Sequence, residues 1–211
     1  MQLRAPEQFR VALDTSKGPI VIEVRRAWAP KGADRFYNLV RHGFYNQTRF
    51  FRVIADFMVQ FGLSGDPKLN EVWKDAKIED DPVVISNIRG TISFATAGKN
   101  TRTTQLFINY RDNSRLDAMG FTPFGRVVEG MGAVDNLYAG YGEGAPAGKG
   151  PSQRRIQAEG NPYLVSDFPK LDFIKRARIA KGASGRERLG EHALLSHRRV
   201  GKDVAGADCI S

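Results

Sequence analysis

The sequence predicts a mainly β domain followed by a structureless basic tail, and three observations carry that reading. Short β-prone runs recur between turn residues along the first 180 positions, helical periodicity is confined to brief segments, and residues 181–211 contain no aromatic side chain. With 211 residues and 41% hydrophobic content the chain can bury one sizeable core. Residues 1–180 are therefore read as a single domain and residues 181–211 as a disordered tail.

Phe9-Arg10-Val11-Ala12-Leu13-Asp14 and Pro19-Ile20-Val21-Ile22-Glu23-Val24 are β-rich runs joined by Thr15-Ser16-Lys17-Gly18, so the chain opens with an antiparallel hairpin. After Pro30, Ala33, Phe36, Leu39 and Val40 recur at helical spacing and Gly43 stands where a C-terminal glycine belongs. A helix of about three turns fits, with His42 capping its end.

Next comes Phe50-Phe51-Arg52-Val53-Ile54-Ala55-Asp56-Phe57-Met58-Val59-Gln60, a β-prone run carrying an arginine. Strand alternation puts Phe51 and Val53 on one face and Phe50, Arg52 and Ile54 on the other. An arginine among large apolar groups is bridged to a carboxylate or a Gln amide, or sits at the rim of an apolar cleft. The plain alternative is a strand-edge cation covering apolar surface with its stem.

Residues 62–81 are polar around a single anchor, Trp73; they have room for a short helix, but Asp66-Pro67 and Asp81-Pro82 bracket them as a loop insertion. Residues 90–98 read as a strand of small and β-branched side chains that lets a ligand lie close. Beyond the polar turn 99–104, Leu106 and Ile108 face one way and Gln105 and Phe107 the other. Residues 121–128 form a further strand, with Pro123 marking an edge or a bulge. Met131, Val134, Leu137 and Tyr138 are spaced as a helix, residues 153–159 suit a short helix, and residues 171–179 close the domain as a strand with Leu171, Phe173 and Ile179 on one face.

The composition narrows the function classes. Net charge is +9, but basic residues are scattered among acids, with no basic platform interleaved with aromatics, so no dedicated nucleic-acid site is expected. Residues 181–211 hold six basic against four acidic residues, so most of the surplus lies on the folded part. No run approaches the roughly 20 apolar residues of a membrane span and no export segment is visible, which makes cytoplasmic residence the expectation. Cys209 is the one cysteine, excluding an internal disulfide and a thiolate metal site. The glycine-rich residues 140–150 fail the Gly-x-x-x-x-Gly-Lys-Ser/Thr spacing of a phosphate loop, so no nucleotide, metal or other cofactor is expected.

Four blocks carry a more specific signal: residues 50–60 as above, then Ala95-Thr96-Ala97-Gly98-Lys99-Asn100-Thr101, Gln105-Leu106-Phe107-Ile108, and Phe124-Gly125-Arg126-Val127-Val128-Glu129-Gly130-Met131. In this order they resemble the signature blocks of the cyclophilin family of peptidyl-prolyl cis-trans isomerases. The resemblance spans roughly residues 9–131 and extends to the closing strand near Phe173. It implies an eight-stranded antiparallel barrel capped by two helices, with a groove on its outer surface. By position, Arg52 and Gln60 become the catalytic residues. Phe57, Met58, Phe107 and Leu116 line the proline pocket with Phe121 at its border, Gln105 joins Gln60 in holding substrate backbone, and Ala95 and Thr96 form the strand along which substrate lies.

The chain also departs from the family pattern. Phe51 replaces the histidine usual before the catalytic arginine, Thr96 replaces an asparagine, and Arg115 stands in place of the tryptophan associated with tight cyclosporin binding, so weak cyclosporin binding is expected. Residues 116–121 are one longer than usual, and residues 140–170 form an extension resembling a bacterial-type branch. The resemblance implies a monomer acting on proline-containing peptides and unfolded or partly folded proteins. The alternatives are a proline-peptide binding or chaperone module with weak turnover, and a nucleic-acid-associated protein using its basic surface.

Overall fold

In the computed structural model, which describes residues 3–180, the opening runs pair as expected. β1 (Gln8–Thr15) and β2 (Gly18–Arg25) are antiparallel with Thr15 opposite Gly18. Phe9, Val11 and Leu13 of β1 and Ile20, Ile22 and Val24 of β2 are buried, while Arg10, Asp14 and Pro19 face water. Each large apolar side chain so buried contributes about 1.5–3 kcal/mol.

The helix α1 (Pro30–Arg41) buries Ala33, Phe36, Leu39 and Val40 and ends at His42, with Gly43 in the left-handed region at φ 69°. It has no N-cap of its own: the carboxylate of Asp81 accepts from the backbone N–H of Lys31 at 3.0 Å and of Gly32 at 2.9 Å. Asp81 in turn meets the buried guanidinium of Arg102 at 3.1 Å. The bracket residue Asp81 is thus a cap delivered from 50 residues away. At the other bracket Asp66 caps a helix instead of opening a loop: α2 (Pro67–Trp73) has Asp66 accepting from Lys68 N–H and proline at its start. Trp73 anchors it against Phe44, with the Arg35 guanidinium 5.1 Å above the indole.

Six further strands complete the sheet: β3 (Arg52–Ile54), β4 (Met58–Phe61), β5 (Thr91–Phe94), β6 (Leu106–Asn109), β7 (Pro123–Glu129) and β8 (Ile174–Ile179). The order is β3-β4-β6-β5-β7-β2-β1-β8, antiparallel throughout. The sheet curls until its edges meet: Gln47 and Phe50 donate to Ile174 and Asp172 carbonyls, Ile174 donates to Thr48, and Arg49 bridges Phe173. Enclosed side chains, Phe36, Tyr45, Phe50, Phe61, Phe94 and Phe124 among them, form the main core.

Several boundaries differ from the expectation. Pro123 starts β7, an interior strand, beside a register shift, so it marks a bulge and not an edge. The helix expected over residues 130–138 is α3 (Met131–Asp135), which starts from Gly130 at φ 83° without a side-chain cap and ends at Asn136. The closing strand starts at Ile174, and its buried residues are Ile174 and Ala177 instead of an alternating Leu171, Phe173, Ile179 set, because residues 171–173 serve the closure and the register shifts at Asp14 and Thr15. The expected helix over 153–159 is α4 (Gln153–Glu159), followed by α5 (Asn161–Asp167), which the sequence reading does not contain. No described helix is long and apolar enough to cross a membrane. The expected tail, residues 181–211, lies outside the described residues.

Replacing Asp81 with alanine removes the α1 cap and one of the two carboxylates that meet the buried Arg102 guanidinium, leaving it to Asp80 alone. It is expected to destabilise the fold by about 3 kcal/mol or more, read as a lowered midpoint in urea unfolding.

Candidate active site

On the hairpin β3–β4, Arg52 stands opposite Gln60 and Ile54 opposite Met58. The turn between them passes through Asp56 at φ 57°, a conformation aspartate tolerates better than bulkier residues, and it delivers Phe57 to the same side. β4 pairs with β6, which sets Gln60 against Phe107. A row of polar groups results: Arg52 Nη1 donates to Gln60 Oε1 at 3.0 Å, and Gln60 Nε2 donates to Gln105 Oε1 at 2.8 Å. Beside the row lies an apolar floor of Met58, Phe107 and Leu116, packed against Ile54, Phe57, Ala95 and Phe121, with Phe107 and Phe121 edge to face at 5.5 Å. Floor and row enclose a groove of about 390 Å³, open to solvent and of a size that holds a small ligand or a peptide side chain.

All ten residues singled out from the sequence, Arg52, Phe57, Met58, Gln60, Ala95, Thr96, Gln105, Phe107, Leu116 and Phe121, line this one groove. Thr96 is partly spent elsewhere, since its hydroxyl bonds to the Gly98 carbonyl and to Thr101 Oγ1, which leaves its backbone for a ligand. Arg115 lies outside, with its guanidinium 5.0 Å over the Phe57 ring. Among the described residues, no three His, Cys, Asp or Glu side chains gather as a metal site.

The alternation drawn through residues 50–54 holds only from Arg52 on. Arg52 and Ile54 do face the groove side, but Phe50 turns into the main core with Val53, because the strand begins only at Arg52 and residues 50 and 51 lie outside it. Phe51 goes a third way. It belongs to a second core with Leu63, Ile156, Tyr163, Leu164 and Leu171, flanked by Tyr141 and Phe168. That core is largely built by the extension over residues 140–170, so the phenylalanine in place of a histidine is the plug that fastens the extension to β3.

The extension supplies a group the sequence reading missed. Glu143 takes the side edge of the Arg52 guanidinium, accepting from Nε at Oε1 and from Nη2 at Oε2, both at 2.6 Å. The signal was half visible: a partly buried arginine demands acceptors, and Glu143 is the lone acid in the glycine-rich run 140–150. The hydrogen bonds from Arg52 hold the Glu143 carboxyl below the usual glutamate range. Its folded pKa being depressed, the pair is closed at neutral pH and opens as the pH falls through that lowered value.

Residues 10–157 match the family model described as "Cyclophilin type peptidyl-prolyl cis-trans isomerase/CLD". Among curated proteins, "Peptidyl-prolyl cis-trans isomerase A" of Dickeya dadantii is 42% identical over 139 residues, covering 63% of this chain and 73% of the relative. "Peptidyl-prolyl cis-trans isomerase-like 3" of Homo sapiens is 38% identical over 134 residues, covering 60% and 80%. A solved cyclophilin type peptidyl-prolyl cis-trans isomerase from Cryptosporidium parvum superposes with a TM-score of 0.60 at 21% identity, over 83% of this chain and 99% of that one, a likeness of fold.

Phe51→Ala empties part of the second core and is expected to destabilise the domain by about 3–5 kcal/mol. Phe51→His, which restores the residue usual in the resembling family, is expected to destabilise too, by about 1–3 kcal/mol, because a ring N–H is then buried without an acceptor. Chemical unfolding of both variants against wild type checks this.

Proposed function

Because the chain belongs to the cyclophilin-type peptidyl-prolyl cis-trans isomerase family, we propose that the groove rotates X-Pro bonds with Arg52 and Gln60 as its catalytic residues. The observation that carries the assignment of roles is the convergence of one half-buried guanidinium, two glutamine amides and an apolar floor in a single groove.

The reaction breaks no bond. Amide resonance opposes rotation by roughly 18–20 kcal/mol, and uncatalysed exchange takes tens to hundreds of seconds. At the twisted geometry the proline nitrogen regains a lone pair that neither planar form offers, so a donor beside it binds the transition state selectively. A guanidinium has five N–H groups. Three are used, Nε and Nη2 by Glu143 and Nη1 by Gln60, and Nη1 also faces the weak acceptor Met58 Sδ at 4.0 Å, which leaves two for substrate once that sulfur is displaced. Met58, Phe57, Phe107, Leu116 and Phe121 hold the proline ring in an apolar pocket, while Gln60, Gln105, Ala95 and the Thr96 backbone hold the chain to either side. With the ring fixed, rotation carries the preceding carbonyl. Exchange in milliseconds needs a factor of order 10⁵, about 7 kcal/mol, so one charge-assisted bond shares the task with orientation and exclusion of water.

Substrates on this reading are proline-containing peptides and partly folded chains, bound by a monomer, and a cytoplasmic location is proposed with it. Membership of a bacterial-type branch is proposed on the extension over residues 140–170. Identity does not single out that branch, because bacterial, fungal and mammalian relatives match alike at 34–42%.

Arg52→Ala is expected to lower kcat/KM on a proline peptide by about 10²–10³ while peptide affinity falls far less. A protease-coupled or NMR exchange assay beside a binding titration measures both, and a wild type that does no better than buffer removes the enzyme reading. Arg115 stacked on Phe57 leaves no indole for cyclosporin, so inhibition is expected to be weak and to tighten in Arg115→Trp, as measured by inhibitor titration.

A further inference from the structure

We propose that Glu143 is a positioning residue for the catalytic arginine, so that the extension over residues 140–170 is part of the isomerase site. The proposal rests on the isomerase reading given above.

Glu143 is not among the residues that line the groove, whereas Arg52 is. The carboxylate therefore grips the Nε and Nη2 edge of the guanidinium without itself lining the groove. It is itself built in. Its Oε1 accepts from Gly144 N–H at 2.9 Å, and its carbonyl accepts from Gly150 N–H at 2.8 Å. Gly148 and Gly150 press so close to that carbonyl that a Cβ on either would stand 2.4 or 2.8 Å from it, which gives the glycine-rich run a structural reason unrelated to phosphate. Two residues before Glu143, Tyr141 packs against the second core, and Phe51, the neighbour of Arg52, is one of that core's buried members. One block of side chains thus fixes the backbone on both sides of the ion pair.

An arginine has a long, flexible stem, and a donor that must be found among many rotamers contributes little to a transition state. Gln60 alone holds one N–H; Glu143 adds a planar two-bond grip that sets the plane of the guanidinium before substrate arrives. The carboxylate also offsets part of the positive charge. The acceptor in the twisted state is a neutral nitrogen, however, so orientation outweighs net charge. A latch that withholds Arg52 from substrate predicts the opposite sign on removal.

The test is Glu143→Gln, with Glu143→Asp as a second variant that keeps charge but is too short for the same grip. Thermal melts establish that each is folded. Both are expected to lower kcat by about tenfold with KM within about twofold of wild type. In an Arg52→Ala background, Glu143→Gln is expected to change nothing further, which separates action through Arg52 from a general loosening of the loop. On unmodified protein, the Arg52 Nε–H resonance is expected to exchange slowly with water, and to exchange like a free arginine in Glu143→Gln. Unchanged or increased kcat in folded Glu143→Gln, an equal further loss in the Arg52→Ala background, or a fast-exchanging Nε–H in wild type each overturn the proposal. A wild type without isomerase activity overturns the functional reading and this proposal with it, whereas an active wild type beside an unimpaired Glu143→Gln overturns this proposal alone.

Discussion

A guanidinium three-quarters withdrawn from water must find acceptors for its N–H groups, and much of the site follows from that requirement at Arg52. Gln60 is placed to help by strand register, since the antiparallel pairing of β3 and β4 puts the two residues opposite each other. Gln105 then satisfies Gln60 from the next strand. The remaining edge of the guanidinium is answered from outside the sheet, by a carboxylate 91 residues further along the chain. The sheet therefore supplies one of these hydrogen bonds to Arg52 and the extension two.

A second buried arginine, Arg102, meets the same demand only in part, since Nη2 has acceptors while Nε and Nη1 have no hydrogen-bond partner among the described residues. Arg102 is almost fully buried beneath the N-terminus of α1, and Asp81 meets it while also accepting from the first N–H groups of that helix. Asp81 thus shares a buried cation with Asp80 and also answers the partial positive charge of a helix end, at a point where the helix sequence, Ala29-Pro30-Lys31, contains no capping side chain. The sites of Arg52 and Arg102 differ in what stays open. Arg52 keeps two N–H groups and a groove beside it; Arg102 has an aromatic ring, Phe94, on its face.

Elements whose cause is local were legible in the sequence. The hairpin of β1 and β2, the helix α1 and the split of Leu106 and Ile108 from Gln105 and Phe107 follow from period and turn chemistry, and they stand as expected. Eight of the ten groove residues lie in the blocks of resemblance, with Leu116 and Phe121 in the loop that follows β6, and the eight share one groove because β3, β4, β6 and β5 are successive neighbours in the sheet. What was not legible depends on long-range partners. Asp81-Pro82 reads as a turn until α1 is seen above it. Phe50 reads as a neighbour of Arg52 until β3 is seen to start only at Arg52, with Phe50 bonded to Asp172 across the closure and buried in the main core. Glu143 reads as one acid in a glycine-rich run, and Phe51 as an unexplained departure, until the second core joins the segments that carry them. In each case local pattern names the residue type and only the tertiary partner gives it a role.

The sheet is closed by its two least ordinary edges, residues 47–50 and 172–174, and β1 has β8 as its outer neighbour. During synthesis this order has a consequence for the nascent chain. β1 emerges first and pairs with β2 at once, yet its other edge stays an open ladder of N–H and C=O groups until nearly the whole domain has been made. The same delay leaves Phe50 and Phe173 without their shared seam. A member of a prolyl isomerase family thus carries, in its own topology, a late strand insertion of high sequence separation, the type of step that is slow and exposed to misassociation.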